Sequence, residues 1–151
     1  MALKTATRGA QRVQHAEFIA SFNDTMVDVN GATKTFGSVF GDQGTFEIIK
    51  MPVGARIVGA NLLVETAGVG PTAYTVSIGT AASATNILAA TDLKTAALTA
   101  VTVSNTIALL CNDGSNVRAT IASTVANATA GKFRIVVSYV IDGKVDEVVT
   151  N

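Results

Sequence analysis

Hydrophobic and polar residues alternate with a period of two through residues 44–79, GTFEIIKMPVGARIVGANLLVETAGVGPTAYTVSIG. Successive side chains of a strand point to opposite faces, so this period predicts β-structure. The pattern is interrupted at Met51-Pro52, where proline lacks the N–H that a sheet ladder needs, and again in the glycine-containing segment 68–71. We therefore predict three consecutive strands in this stretch.

Each of the three strands has a distinct hydrophobic face. The residues that share a face are Phe46 and Ile48 in 45–51; Val58, Ala60, Leu62 and Val64 in 55–66; and Tyr74, Val76 and Ile78 in 73–79. In the long second strand, Ile57 and Leu63 are predicted on the opposite face, so that face is not purely polar.

The segments before this stretch also alternate. Residues 15–22 predict a strand with Ala16, Phe18, Ala20 and Phe22 on one face. Asn30-Gly31 predicts a type I′ hairpin turn, because both central residues of that turn need a positive φ. The strands joined by this turn are predicted at 25–29 and 33–40.

The C-terminal half gives further strands. The residues predicted to share a face are Val117, Ala119, Ile121 and Val125 in one strand, and Phe133, Ile135, Val137, Tyr139 and Ile141 in a closing strand at 132–141. Residues 101–111 predict a bent strand or a strand pair, and the tail has room for one more short strand. Residues 80–100 are rich in threonine and lack an amphipathic stripe, so we predict a long loop there with a short strand or turn.

These segments give eight or nine short strands separated by turn signals, and no helical period is sustained. The pattern predicts an all-β fold, a jelly-roll-like β-sandwich of about eight strands. We expect a single β-sandwich domain at residues 15–151, preceded by an extended N-terminal arm at residues 1–14.

The predicted arm is polar and basic. It contains Lys4, Arg8 and Arg12 and no acidic residue. Two interpretations stay open: a disordered terminus, or an arm that becomes ordered on the acidic surface of a partner.

Composition narrows the function classes. The chain has 151 residues, 15% charged residues and a formal net charge of zero, so it lacks the basic footprint of a general nucleic-acid binder. No apolar run is long enough to span a membrane, and the first residues do not resemble a signal peptide, so we expect synthesis in the cytoplasm.

Charged residues are missing from 66–91, 95–112 and 119–131. Either Thr, Ser and Asn keep these segments soluble, or subunit contacts cover them.

The side chains that could carry chemistry are few. The chain has one histidine, His15, and one cysteine, Cys111, which is too few for a zinc site. Glu47 and Glu65 could provide a carboxylate pair for glycoside hydrolysis, but no aromatic platform accompanies them. Residues 28–31, Asp-Val-Asn-Gly, match a small part of a calcium loop and fit an ordinary hairpin turn better. We expect no catalytic residue, no metal and no cofactor.

Two segments carry a resemblance to a known family. They are MPVGARIVGANLLVETAG and YTVSIGTAASATNILAATDLKTA, followed by the closing strand GKFRIVVSYVID. Together they resemble small structural proteins of tailed bacteriophages, in particular capsid decoration (cement) proteins. The resemblance covers residues 44–142 and is a pattern of strands and turns.

The resemblance implies a non-enzymatic virion protein that binds the major capsid protein on the outside of the head, as a homotrimer, and is made in the host cytoplasm. Lys4, Arg8 and Arg12 would then be the candidate capsid contacts. Two alternatives stay open: another virion component, such as a head fibre, tail or adaptor protein, or a carbohydrate-binding or hydrolytic β-sandwich. Neither nucleic acid nor a membrane is an expected partner.

Overall fold

The computed structural model describes residues 12–37, 43–101, 110–111 and 116–141. Regular structure in these residues consists of eleven strands, without a helix. The strands are β1 Gln14–Ser21, β2 Thr25–Val27, β3 Thr33–Thr35, β4 Gly44–Ile49, β5 Ala55–Val69, β6 Ala73–Thr80, β7 Ser83–Asp92, β8 Leu98–Val101, β9 Leu110–Cys111, β10 Val117–Thr124 and β11 Ala130–Ile141. The three strands predicted in residues 44–79 are confirmed as β4, β5 and β6.

The strands form two sheets and a small hairpin. The first sheet has the order β1-β11-β5-β8, with β9 pairing farther along β5, and the second has the order β4-β10-β6-β7. Strands β2 and β3 pair only with each other. The chain crosses repeatedly from one sheet to the other, and the first and last sheet strands, β1 and β11, are neighbours. This is the strand arrangement of a jelly roll, so the predicted fold class is confirmed.

Inward-pointing side chains of both sheets fill the space between them. The largest fully buried ones are Tyr74, Phe46, Phe133, Leu62, Ile78, Leu93, Ile121, Ile135, Val76, Val117 and Val137. Phe36, directly after β3, packs edge-to-face against Phe46, with 4.8 Å between ring centroids, and against Phe18 at 6.0 Å. The aromatic residue after β3 therefore fixes the small hairpin to the core that the two sheets share.

Strand β5 is longer than its partner. Its 15 residues lie opposite the 12 residues of β11, and the pairing contains three register shifts, each with one extra residue on β5. At one of them Gly59 pairs with Ser138 and Ile57 with Tyr139, which leaves Val58 unpaired. Ile57 is 3% exposed and Val58 is 43% exposed. The prediction that Val58 faces the core is wrong, because an inserted residue reverses the alternation that precedes it.

The hairpin of β2 and β3 forms where it was predicted, with a different turn. Gly31 has a φ of 84°, whereas Asn30 keeps a negative φ, so the turn is not type I′. The backbone N–H of Asp28 donates to the carbonyl oxygen of Ala32 at 2.8 Å, and the N–H of Gly31 donates to the carbonyl oxygen of Asp28 at 3.0 Å. The connection is thus a five-residue loop closed by Asp28 and Ala32. The return strand β3 is shorter than predicted, and residues 38–40 lie outside the described part.

The prediction of a long loop at 80–100 is wrong. Strand β7 forms a hairpin with β6, and β8 follows on the first sheet. Strand β7 is an edge strand in which only Ile87 and Leu88 are buried, so it lacks the alternation that identifies a half-buried strand. A methyl group on Gly79 would lie 2.0 Å from the carbonyl oxygen of Ser83, so the close approach of the hairpin strands there requires glycine.

The face of the strand at 117–124 is confirmed except for its last member. Val117, Ala119 and Ile121 are buried, whereas Val125 follows the end of β10, is 68% exposed and has a φ of 73°. A β-branched residue is rarely found at such a φ. The predictions for 102–109, for the C-terminal tail and for residues 1–11 fall outside the described residues.

Candidate functional site

The structure describes one of the three candidate contact residues. Arg12 is exposed and lies two residues before the start of β1, whereas Lys4 and Arg8 are outside the described residues. Strand β1 is an edge strand of the first sheet, where Gln14 pairs with Tyr139 of β11. The basic segment therefore joins the sandwich at one edge of the first sheet.

The outer face of the first sheet consists of the side chains of β1, β11, β5 and β8 that point away from the core. One row across the four strands contains Ile19, Arg134, Leu63 and Leu98, which are cross-strand partners in this order. Ile19 is 44% exposed and Leu98 is 67% exposed, so hydrophobic side chains lie at both ends of the row.

A network of ion pairs crosses the same face. The Glu65 carboxylate accepts a hydrogen bond from Arg134 Nε at 2.8 Å and lies 2.7 Å from Lys132 Nζ. Arg134 also donates to Glu17. Glu65 is the extra residue at a register shift of β5, because Lys132 pairs with Thr66 while the next residue of β11 pairs with Val64. The bulge thus directs the Glu65 carboxylate between two cations.

The network shifts the pKa values of Glu65 and Arg134. Hydrogen bonds from Lys132 and then Arg134 lower the pKa of Glu65 below its usual value. The hydrogen bond to Glu65, with a second one to Glu17, raises the pKa of Arg134. Both shifts favour the charged forms of Glu65 and Arg134.

The outer face of the second sheet differs in chemistry. Thr45, Thr120 and Ser77 are cross-strand partners, and the hydroxyls of the two threonines are 3.0 Å apart. At one end of the face, Arg118 donates to Glu47 from Nη2 at 2.7 Å and from Nε at 3.1 Å. This pair, with a further hydrogen bond from Asn116, lowers the pKa of Glu47. Small hydroxyl and methyl groups dominate the rest of this face.

A groove of about 280 Å³ separates the β2–β3 hairpin from the end of this face. It is lined by Val27, Asp28, Val29, Glu47 and Arg118. The Asp28 carboxylate accepts hydrogen bonds from the backbone N–H groups of Asn30 and Ala32, both at 2.9 Å, and lies 3.2 Å from Lys34 Nζ.

These contacts, first of all the one from the Ala32 N–H, lower the pKa of Asp28. Its oxygens thus hold the hairpin loop together, in agreement with the preference for a turn over a calcium loop at residues 28–31. Among the described residues no group of three or more His, Cys, Asp or Glu side chains could hold a metal ion.

The residues considered for catalysis are dispersed. His15 is exposed, with its Nδ1 2.9 Å from the hydroxyl of Ser138, and Cys111 lies in β9 of the first sheet. Glu47 and Glu65 belong to different sheets, and each is neutralised by an arginine. The structure therefore does not bring these two carboxylates together as a catalytic pair.

The aromatic side chains that the structure describes lie in the hydrophobic core or pack against it. They are Phe18, Phe22, Phe36, Phe46, Phe133, Tyr74 and Tyr139, and all are buried or half-buried. A sugar platform needs an exposed aromatic face, and no side chain in this set provides one. In the described part of the chain there is also no helix with the length and hydropathy of a membrane span.

Two solved structures with a similar fold are chains of bacteriophage capsid structures. A chain in the cyanophage Pam1 capsid asymmetric unit has a TM-score of 0.55 and 23% identity, over 93% of this chain and 92% of that one. A chain in the capsid of Ralstonia phage GP4 has a TM-score of 0.53 and 14% identity, over 93% and 91%. At these identities the likeness shows the fold. No protein-family model and no curated protein matches the sequence.

The composition of the first-sheet outer face could not be predicted from the sequence. Leu98 lies in a segment predicted to be a loop, and Glu17 is separated from Arg134 by more than a hundred residues. Both strands around Glu17 and Arg134 were predicted correctly. The pairing of these two strands and its register were not predicted, so the ion pair between Glu17 and Arg134 could not be found from the sequence.

Proposed function

We propose that this protein is a non-enzymatic structural component of a bacteriophage virion, a decoration protein that binds the major capsid protein on the outside of the head. The observation that carries this proposal is the jelly-roll fold shared with chains of two phage capsid structures over 93% of the sequence. The resemblance of residues 44–142 to decoration proteins, which is a pattern of strands and turns, supports the same class.

The surface chemistry is compatible with a protein that binds through broad contacts. Charged groups on both outer faces form ion pairs within the chain, including Glu65 with Arg134 and Glu47 with Arg118. A decoration protein that assembles as a homotrimer can add many modest contacts on a repeating lattice, because linked sites raise the effective concentration. In this proposal Lys4, Arg8 and Arg12 provide contacts to the capsid beyond the edge of the first sheet.

Binding to phage heads that lack this protein tests the proposal. The purified full-length chain is mixed with such heads, and the bound fraction is measured by co-sedimentation. We expect saturable binding at a copy number comparable with that of the major capsid protein. A few copies per virion would favour the fibre, tail or adaptor alternative, and no binding would contradict a head location.

Charge reversal tests the basic arm separately. Replacing Lys4, Arg8 and Arg12 by Glu should weaken binding about tenfold, if each exposed contact contributes about 0.5 kcal/mol. The control is Lys50→Glu with Lys94→Glu, two exposed lysines after β4 and β7. Unchanged binding of the triple variant would contradict the role of the arm and leave the head location standing.

A further inference from the structure

We propose that the outer face of the first sheet is the surface on which a second copy of this chain docks. The inference deepens the proposed function, on which it rests only for the expectation that copies of the chain associate.

Exposed hydrophobic side chains are distributed unequally between the two sheets. In the described residues of the two large sheets the exposed large hydrophobic side chains are Ile19, Val58, Val69 and Leu98, and all four belong to the first sheet; Val27 is exposed on the β2–β3 hairpin. The strands of the second sheet carry none of these exposed large side chains. Burying apolar area is the main favourable term in association, so the first sheet is the better candidate for a stable contact.

The face also has a suitable extent. Four strands about 4.8 Å apart, over the eight residues of β1 at about 3.4 Å each, cover about 500 Å². Covering one such face with an equal area of a second copy buries about 1,000 Å² in total, which is the minimum expected of a biological interface. Ile19 and Leu98 lie at opposite edges of this area, with Arg134 and Leu63 between them.

The four charged side chains nearest to the row of Ile19 and Leu98 favour a neutral partner. Glu17 and Glu65 balance Arg134 and Lys132, and the four side chains pair with one another. A nucleic acid or a strongly charged peptide would gain no net attraction here. Ionic groups that already have partners can be covered without leaving an unpaired buried charge, which is the large cost of burying ions.

The chain itself fits as the neutral partner. Its formal net charge is zero, so copies approach one another without long-range repulsion. A second copy also provides exposed hydrophobic side chains to meet Ile19 and Leu98, because it carries the same ones. We therefore assign a second copy of this chain as the occupant.

The test compares two substitutions of equally exposed residues. Leu98→Glu places a charge on the face, and Val53→Glu places the same charge in the turn before β5; the two side chains are 67% and 68% exposed. Association of the full-length wild type and of both variants is measured by light scattering and sedimentation equilibrium over a wide concentration range. Ile19→Glu, at the other end of the row, is the second test variant, and circular dichroism confirms that each variant is folded.

We expect the wild type to self-associate with a dissociation constant that rises at least about tenfold in Leu98→Glu and in Ile19→Glu, and is unchanged in Val53→Glu. A wild type that is monomeric at all concentrations would overturn the inference. So would association that neither face variant weakens, or that Val53→Glu weakens equally. Co-sedimentation with heads is scored separately: self-association without head binding would contradict the decoration role and leave this inference intact.

Discussion

The hydroxyl of Tyr74 donates a hydrogen bond to the backbone carbonyl oxygen of Phe36, with 3.1 Å between the two oxygens. Tyr74 belongs to β6 of the second sheet and is 1% exposed, and Phe36 directly follows β3 of the small hairpin. Burial raises the pKa of Tyr74 from 10.0 to about 12. A single neutral hydroxyl therefore links the hairpin to the second sheet inside the core.

This hydrogen bond predicts a loss of stability at alkaline pH. The folded-state pKa of Tyr74 is raised, so its contribution is complete below about pH 10, where the unfolded chain begins to ionise, and is lost as the pH rises towards 12. Tyr74→Phe should be about 1 kcal/mol less stable at neutral pH, because the Phe36 carbonyl loses its partner. The stability of Tyr74→Phe should also fall much less between pH 10 and 12 than the stability of the wild type. Urea unfolding of both proteins across this range measures the effect, and an equally steep decline in Tyr74→Phe would contradict it.

The parts of the fold that could be predicted from the sequence are those fixed by local signals. Strands β4, β5 and β6 were found because proline and glycine mark their ends and because one face of each is hydrophobic. The closing strand was found for the same reason, since Phe133, Ile135 and Val137 alternate with partly exposed residues. A chain with about eight predicted strands at this spacing fits few all-β architectures other than a β-sandwich.

The parts that could not be predicted depend on pairing between distant strands. Val58 was assigned to the wrong face because it is an extra residue in β5, and such a residue can be recognised only from the pairing of β5 with β11. Strand β7 was missed because an edge strand with few buried residues has no hydrophobic period. Both difficulties affect the outer face of the first sheet. Glu65 reaches Arg134 because of a bulge in β5, and Leu98 follows the missed strand β7 in the segment that was predicted to be a loop.

The tight approach of β6 and β7 makes a second prediction. A methyl group on Gly79 would meet the Ser83 carbonyl oxygen at 2.0 Å and the Ala84 carbonyl carbon at 2.5 Å, both backbone atoms that cannot move alone. Gly79→Ala should therefore reduce the free energy of unfolding by about 3 kcal/mol, through overpacking. Gly59→Ala is the control, because its methyl group would have only the Ser138 Cβ nearby, at 3.9 Å. Urea unfolding separates the two, and similar stabilities of both variants would show that the hairpin is not packed this tightly.

The strained backbone at Val125 makes the last prediction. Val125 has a φ of 73° and is 68% exposed, so its side chain gains little burial in return for an unfavourable conformation. Asparagine tolerates this region of backbone space better than a β-branched residue, so Val125→Asn should raise the free energy of unfolding by about 1 kcal/mol. Val53→Asn is the control: Val53 is also 68% exposed and keeps a negative φ, so the same change of side chain should alter stability by less than about 0.5 kcal/mol. Thermal unfolding of the three proteins measures the difference. An equal gain in both variants would attribute the effect to removing an exposed hydrophobic side chain, and no gain at Val125 would contradict the strain.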